Sequence, residues 1–315
     1  MEDRTTMVID CDAGIDDAVA IMMALAEPRV NLIGITCVNG NTPVEKVTIN
    51  VLRVLQKCGR LDIPVYSGTT KDFLGTAPVT SAHGQDGLGD IPNPETPPSR
   101  DLVQSEHAVE VLIRMANEHQ GEITLVAIGP LTNVALAMKL DSQFTSKLKE
   151  LVIMGGNILA TGTRFPASEF NFTVDPTAAH IVMTGTQCAT TLVPLETCIS
   201  CSISTSWFES LHHSKKAKFV AAMYTDRLKK AKTDKKSVCM VADGCAMVVA
   251  VSKASIKKAT HTPCQIELHE GMTKGQMVTS KIYRPWAKSF PGPEINVVIE
   301  LDMGTYHMML DEAVR

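Results

Sequence analysis

Short apolar runs alternate along the chain with longer stretches whose apolar residues recur every three or four positions. Residues 7–10 (MVID) read as a strand, 16–25 (DDAVAIMMAL) as an apolar helix and 30–38 (VNLIGITCV) as a second strand. Residues 43–58 carry helical spacing through Val44, Val47, Val51, Leu52 and Leu55, and 63–66 form a third short strand. Further on, 108–116 reads as helix, 124–128 as strand, 131–138 as helix, 151–154 as a buried strand and 176–184 as helix. Continuous apolar strands separated by helices predict an α/β fold: one domain over residues 1–315, a mainly parallel central sheet with helices on both faces. In such sheets ligands gather beyond the carboxyl ends of the strands. That rule selects the loops beginning at Asp10, Val38, Ile128 and Met154.

Three segments lack a clear period. Residues 73–101 are rich in Pro and Gly, and 155–176 in Gly, Thr and Asn. Residues 212–236 carry His212, His213 and nine Lys or Arg, read here as loop-like, a solvated helix face with a mobile turn rather than an anion site.

Composition narrows the function. At 44% hydrophobic and 20% charged residues, the 315-residue chain can bury a large core. A net charge of -4 and 4% aromatics argue against nucleic acid as a partner. No run reaches the roughly 18 apolar residues of a membrane span. The polar opening MEDRTT is unlike a secretory leader, so a soluble, cytoplasmic protein is expected. Nine Cys at irregular spacing fit reduced, mostly buried thiols; the lone CxxC of Cys198 and Cys201, with no second pair and no nearby His, does not make a zinc site.

The candidate chemistry starts at residues 10–17, DCDAGIDD, with Asp10, Asp12, Asp16 and Asp17 in eight positions. Carboxylates this close repel one another unless a cation is present. Helix capping accounts for one or two of them. A divalent cation accounts for all four, and an all-oxygen donor set favours Ca²⁺ or Mg²⁺. An EF-hand is excluded, because a strand precedes the loop and the twelfth position from Asp10 is Ile21. A DxD phosphatase also opens with strand and DxD. It expects a hydroxyl-rich turn next, where this chain has Ala13-Gly14-Ile15-Asp16-Asp17.

Seven ordered blocks resemble the inosine-uridine preferring nucleoside hydrolases. Asp10, Asp12, Gly14, Asp16, Asp17, Ala18 and Ala20 match the opening DxDxGxDDAxA. Asn39-Gly40-Asn41, the loop from His83 to Gly89, and the run from Ile128 to Ala135 follow. Met154-Gly155-Gly156, Glu169-Phe170-Asn171 with Asp175-Pro176, and a late stretch from Gly271 to Val278 complete the set. The resemblance implies hydrolysis of the N-glycosidic bond of ribonucleosides in a homodimer or homotetramer. It implies Ca²⁺ held by Asp12, Asp17, Asp243 and the main-chain carbonyl of Ile128, with Asp10 supporting from behind. Asp12 would hold and deprotonate the attacking water. Asp16, Asn41, Glu169 and Asn171 would bind ribose hydroxyls, and Met154 would line the sugar pocket. His83 is either a loop histidine or a substrate neighbour. Thr163 stands where an Asn is common and can still donate to the ribose. These residue types suit a vicinal diol beside a hard cation and an oxocarbenium-like transition state.

The chain departs from the pattern at Ala242, where many members carry the His proposed as acid for the leaving base. The alternative is therefore a nucleoside- or ribose-binding homologue with weak or lost turnover; the phosphatase is a further one.

Overall fold

The computed structural model describes residues 4–94, 96–163, 165–279 and 291–315. Seven parallel strands build most of a nine-stranded sheet: β1 (Thr5–Cys11), β2 (Val30–Cys37), β3 (Val65–Ser67), β4 (Val103–Gln104), β5 (Ile123–Ala127), β6 (Glu150–Met154) and β7 (Ala189–Val193). The strand Ile295–Leu301 adds in parallel to β7, and Ile256–Thr262 closes that edge antiparallel. From that edge the order continues β7, β6, β5, β1, β2, β3, β4. The expected α/β architecture is the observed one.

Alternation along β1 divides the core in two. Met7, Ile9 and Cys11 face one layer and Val8 the other. The helices Ile15–Ala26, Val44–Cys58, Ala242–Val251 and Met303–Ala313 cover the first face. Ala108–Glu118, Thr132–Leu140 and Pro176–Gly185 cover the second. The helix Ile15–Ala26 has no polar face because it lies between the sheet and two other helices, Ala242–Val251 and Met303–Ala313.

Strand order reverses at β1. Strands β2 to β4 run to one side of it, and β5 to β7 to the other. The loops leaving β1 and β5 therefore diverge and leave a crevice at the carboxyl edge.

The segment 212–236 shows the expected solvated helix face but is more regular than a loop. It folds as two helices, Lys215–Met223 and Thr225–Thr233, hinged at Tyr224. The buried stripe is narrow (Ala217, Val220, Met223, Tyr224 and Ala231), and most of the lysines between them stay exposed. Few apolar positions carry those helices, which is why the period was faint. The segment 155–176 likewise holds a short helix, Phe170–Val174. Among the described residues no helix is long and apolar enough to cross a membrane.

Candidate active site

A cavity of about 680 Å³ opens at the crevice beside β1 and β5. Asp12, Asp16, Asn41 and His83 line it, facing Ile128, Met154, Glu169, Asn171 and Asp243, with Thr163 exposed nearer the rim. Asp10 and Asp17 lie behind this lining. Every residue singled out from the sequence therefore meets at one place.

Asp10 is the penultimate residue of β1 and is fully buried. Its Oδ1 accepts from Thr36 Oγ1 at 2.5 Å and Asn133 Nδ2 at 2.8 Å, while Oδ2 has no partner. Burial raises its pKa to about 7 against the pull of those two donors. Asn133 also donates to the Cys37 carbonyl at 2.9 Å, tying β1 and β2 to the opposite helix layer.

The chain then turns sharply, with Ala13 at φ 38°. Asp17 fixes this turn, accepting from Gly14 N at 2.7 Å, Asp12 N at 3.2 Å and Asn41 Nδ2 at 3.3 Å. Asn41 N in turn donates to Asp12 Oδ2 at 2.7 Å. Close approach requires glycine here: a Cβ on Gly40 would sit 2.2 Å from Asp12 Oδ2.

Carboxylate oxygens of Asp16, Asp17 and Asp243 lie within 4.8 Å of one another, all buried. Asp243 comes from the first turn of the helix Ala242–Val251. Asp12 stands beside them with Oδ1 buried and unpartnered, as is Asp16 Oδ1. Burial, with the neighbouring carboxylates, pushes Asp17 up to about 7 and Asp12 and Asp243 well above the usual carboxylate range. Among the described residues no Lys or Arg pairs with any of the four. A hard divalent cation fits this set: buried oxygen donors, orphaned lone pairs and uncompensated charge. Asp16, expected on the sugar, thus shares the carboxylate cluster as well.

Glu169 caps the helix Phe170–Val174, accepting from Asn171 N at 2.8 Å, Gly156 N at 2.9 Å and Phe172 N at 3.1 Å. Burial raises its pKa to about 7, opposed by these N–H groups. Asn171 Nδ2 donates to the carbonyls of Ile128 at 3.0 Å and Met154 at 3.2 Å. The Ile128 carbonyl, an expected cation ligand, thus also accepts from Asn171.

His83 is buried, with Nδ1 3.1 Å from Ile15 N and 3.4 Å from Asp16 Oδ1. Its Nε2 lies 3.1 Å from Arg227 Nη2. Burial lowers its pKa to about 4, with Asp16 opposing and Arg227 reinforcing, so the ring is neutral at pH 7. Sequence reasoning missed Arg227, Lys230 and Lys236, which also line the cavity. The basic run was visible, but no spacing singled out Arg227. Tyr224, a side chain whose hydroxyl has no partner, is buried and stacked on Phe208 at 4.4 Å between centroids.

A model of the inosine-uridine preferring nucleoside hydrolase family matches residues 7–307. The chain is 31% identical over 316 residues to the inosine-uridine preferring nucleoside hydrolase of Leishmania major, covering 98% of this chain and 97% of that one. It is 44% identical over 185 residues to a probable uridine nucleosidase 2 of Arabidopsis thaliana; that match takes in 58% of this chain and 56% of the plant protein, so the chain spans little more than half of such relatives. Among solved structures, a plant nucleoside hydrolase, the PpNRh1 enzyme, superposes with a TM-score of 0.90 at 29% identity over 98% of both chains.

Proposed function

The chain belongs to the inosine-uridine preferring nucleoside hydrolase family, and from that premise we propose that it hydrolyses the N-glycosidic bond of ribonucleosides to ribose and free base, with Ca²⁺ as cofactor. The observation that carries this reading is the convergence of buried carboxylates and sugar-type amides on one cavity. Asp12, Asp17, Asp243 and the Ile128 carbonyl would hold Ca²⁺, which supplies positive charge that acidifies a water and attracts the vicinal diol. Asp12, with one oxygen fixed by Asn41 and the other unpartnered, accepts the proton of the attacking water. Asp16, Asn41, Glu169 and Asn171 bind and orient the ribose hydroxyls, with Thr163 reaching from the rim. Met154 closes the apolar side of the sugar pocket. Negative charge around the sugar favours the oxocarbenium-like transition state. Asp10, tied to Thr36 and Asn133, holds the turn from behind. By the same resemblance the protein works as a homodimer or homotetramer.

The test is incubation with inosine, uridine and nitrophenyl riboside in Ca²⁺ or chelator, reading released reducing sugar. Cation-dependent ribose release is expected. Binding without sugar release would instead favour a riboside-binding homologue, the reading that Ala242 motivates. The family match leaves the DxD phosphatase without support.

A further inference from the structure

The hydrolytic scheme gives no task to the three cations that line the cavity, Arg227, Lys230 and Lys236, and of these Arg227 alone is half-buried. Arg227 projects from the helix Thr225–Thr233 onto the wall beside His83. Its Nε is buried with no hydrogen-bond partner, and among the described residues no carboxylate forms an ion pair with it. Among the described residues its side chain makes a hydrogen-bond contact with His83 Nε2 at 3.1 Å. A neutral imidazole has a single acceptor nitrogen. It can serve Ile15 N at Nδ1 or Arg227 at Nε2, not both. With the backbone donor fixed on Nδ1, the guanidinium is left facing an N–H. A half-buried guanidinium whose Nε has no acceptor is costly unless a ligand supplies one. Asp16, on the sugar side, lies just across the same imidazole, 3.4 Å from Nδ1. Ala242 lines the cavity too, with no proton to give.

We propose that Arg227 receives the departing base, and that the preferred substrates are ribosides whose base leaves as an anion. This rests on the hydrolase reading and specifies its leaving-group half. The C1′–N bond breaks heterolytically, and both electrons pass to the base nitrogen and spread onto a ring carbonyl oxygen. Arg227 donates hydrogen bonds to that oxygen and keeps its own protons, since a guanidinium does not deprotonate in this range. The water oxygen bonds to C1′ and gives one proton to Asp12. Solvent afterwards protonates the released base and takes the proton from Asp12, so one water is consumed overall. Lys230 and Lys236 on the same wall add positive charge of the same sign. Bases with an acidic ring N–H beside a carbonyl, such as uracil, fit this device; adenine, which has no ring carbonyl, does not.

The experiment uses the Ca²⁺-loaded full chain and its Arg227→Ala and Arg227→Lys variants on uridine, adenosine and nitrophenyl riboside. For wild type, kcat/KM is expected to be higher on uridine than on adenosine. Arg227→Ala should lower kcat/KM on uridine by about 10²–10³-fold, the usual loss of one charge-stabilising donor. On the nitrophenyl riboside, whose leaving group needs little help, the loss should stay below about tenfold. Arg227→Lys, or guanidinium added to the Ala variant, should restore part of the uridine rate. Equal losses on uridine and the nitrophenyl riboside, or no loss at all, overturn the inference while the hydrolase reading stands. Release of ribose from none of the three by wild type overturns both.

Discussion

Removing the divalent cation should destabilise this protein more at pH 8 than at pH 5, and the site gives the size of the effect. Asp10 and Asp17 are held at about 7 by burial, and Asp12 and Asp243 well above the usual range. Unfolded aspartates titrate near ~3.9. The folded pKa lies above the unfolded one, so the cation-free protein is most stable at low pH. It loses stability as pH rises from ~4 through ~7. One carboxylate displaced by ~3 pKa units corresponds to about 4 kcal/mol at pH 8. A cation binding the ionised set offsets that cost. At 100 times its Kd, binding adds about 2.7 kcal/mol. For 315 residues, at ~2.1 cal/mol/K per residue, the unfolding entropy is about 0.66 kcal/mol/K, so the expected shift is about 4 °C in Tm. At pH 5 protons compete for the same oxygens, and the shift should fall below about 1 °C. The assay is thermal unfolding followed by circular dichroism at pH 5, 6.5 and 8, in Ca²⁺ and in chelator. Asp243→Ala should remove the Ca²⁺-dependent shift at every pH. A chelator shift of equal size at pH 5 and pH 8 would refute the reasoning.

Other outcomes follow from single contacts. Gly40→Ala drives a methyl against Asp12; kcat should fall by about 10²-fold or more and Tm by about 2–5 °C from overpacking, and a normal rate would mean that the turn can yield. 2′-Deoxyuridine should be a worse substrate than uridine by a factor on the order of 10⁴, because the missing hydroxyl leaves buried polar groups unpaired; comparable kcat/KM values would remove the diol clamp. Asn133→Ala strips Asp10 of a donor and should cost about 2 kcal/mol, read as a Tm lower by about 3 °C, and an unchanged Tm would show that Asp10 needs no such partner.

The acidic loop was legible because its information is local. Asp10, Asp12, Asp16 and Asp17 fall within eight positions across one strand–turn–helix junction, and four like charges have few uses. Asn41, Glu169 and Asn171 were legible only through their motifs; as isolated residues they could equally be turn or surface groups. The grouping of Asp16 with Asp17 and Asp243 was not legible, since the reach of Asp243 depends on how the helix Ala242–Val251 packs on Ile15–Ala26. Arg227 was missed for a related reason. Its helix buries few residues, so its sequence looks like a solvated face, and only tertiary packing sets the guanidinium against His83. The edge strands escaped too: β4 is two residues long, and the pairing of Ile256–Thr262 with Ile295–Leu301 spans a separation that no local period reports.

The reversal of strand order at β1 also bears on how the site comes into being in time. Its groups come from residues 10–17, 41, 169–171 and 243, and none of these segments can meet until β1 has paired with both β2 and β5 and the late helix has docked on Ile15–Ala26. Such long-range closures come late in assembly. The expectation is that the carboxylate constellation is absent from early partly folded chains and that a cation meets its oxygens only after the folding barrier, which refolding and unfolding rates measured with and without Ca²⁺ would check. Interactions formed after the barrier retard the return journey and leave the forward rate alone. The cation is then expected to act as a latch on the finished fold: Ca²⁺ should slow unfolding and leave the refolding rate unchanged, and a faster refolding in Ca²⁺ would refute this.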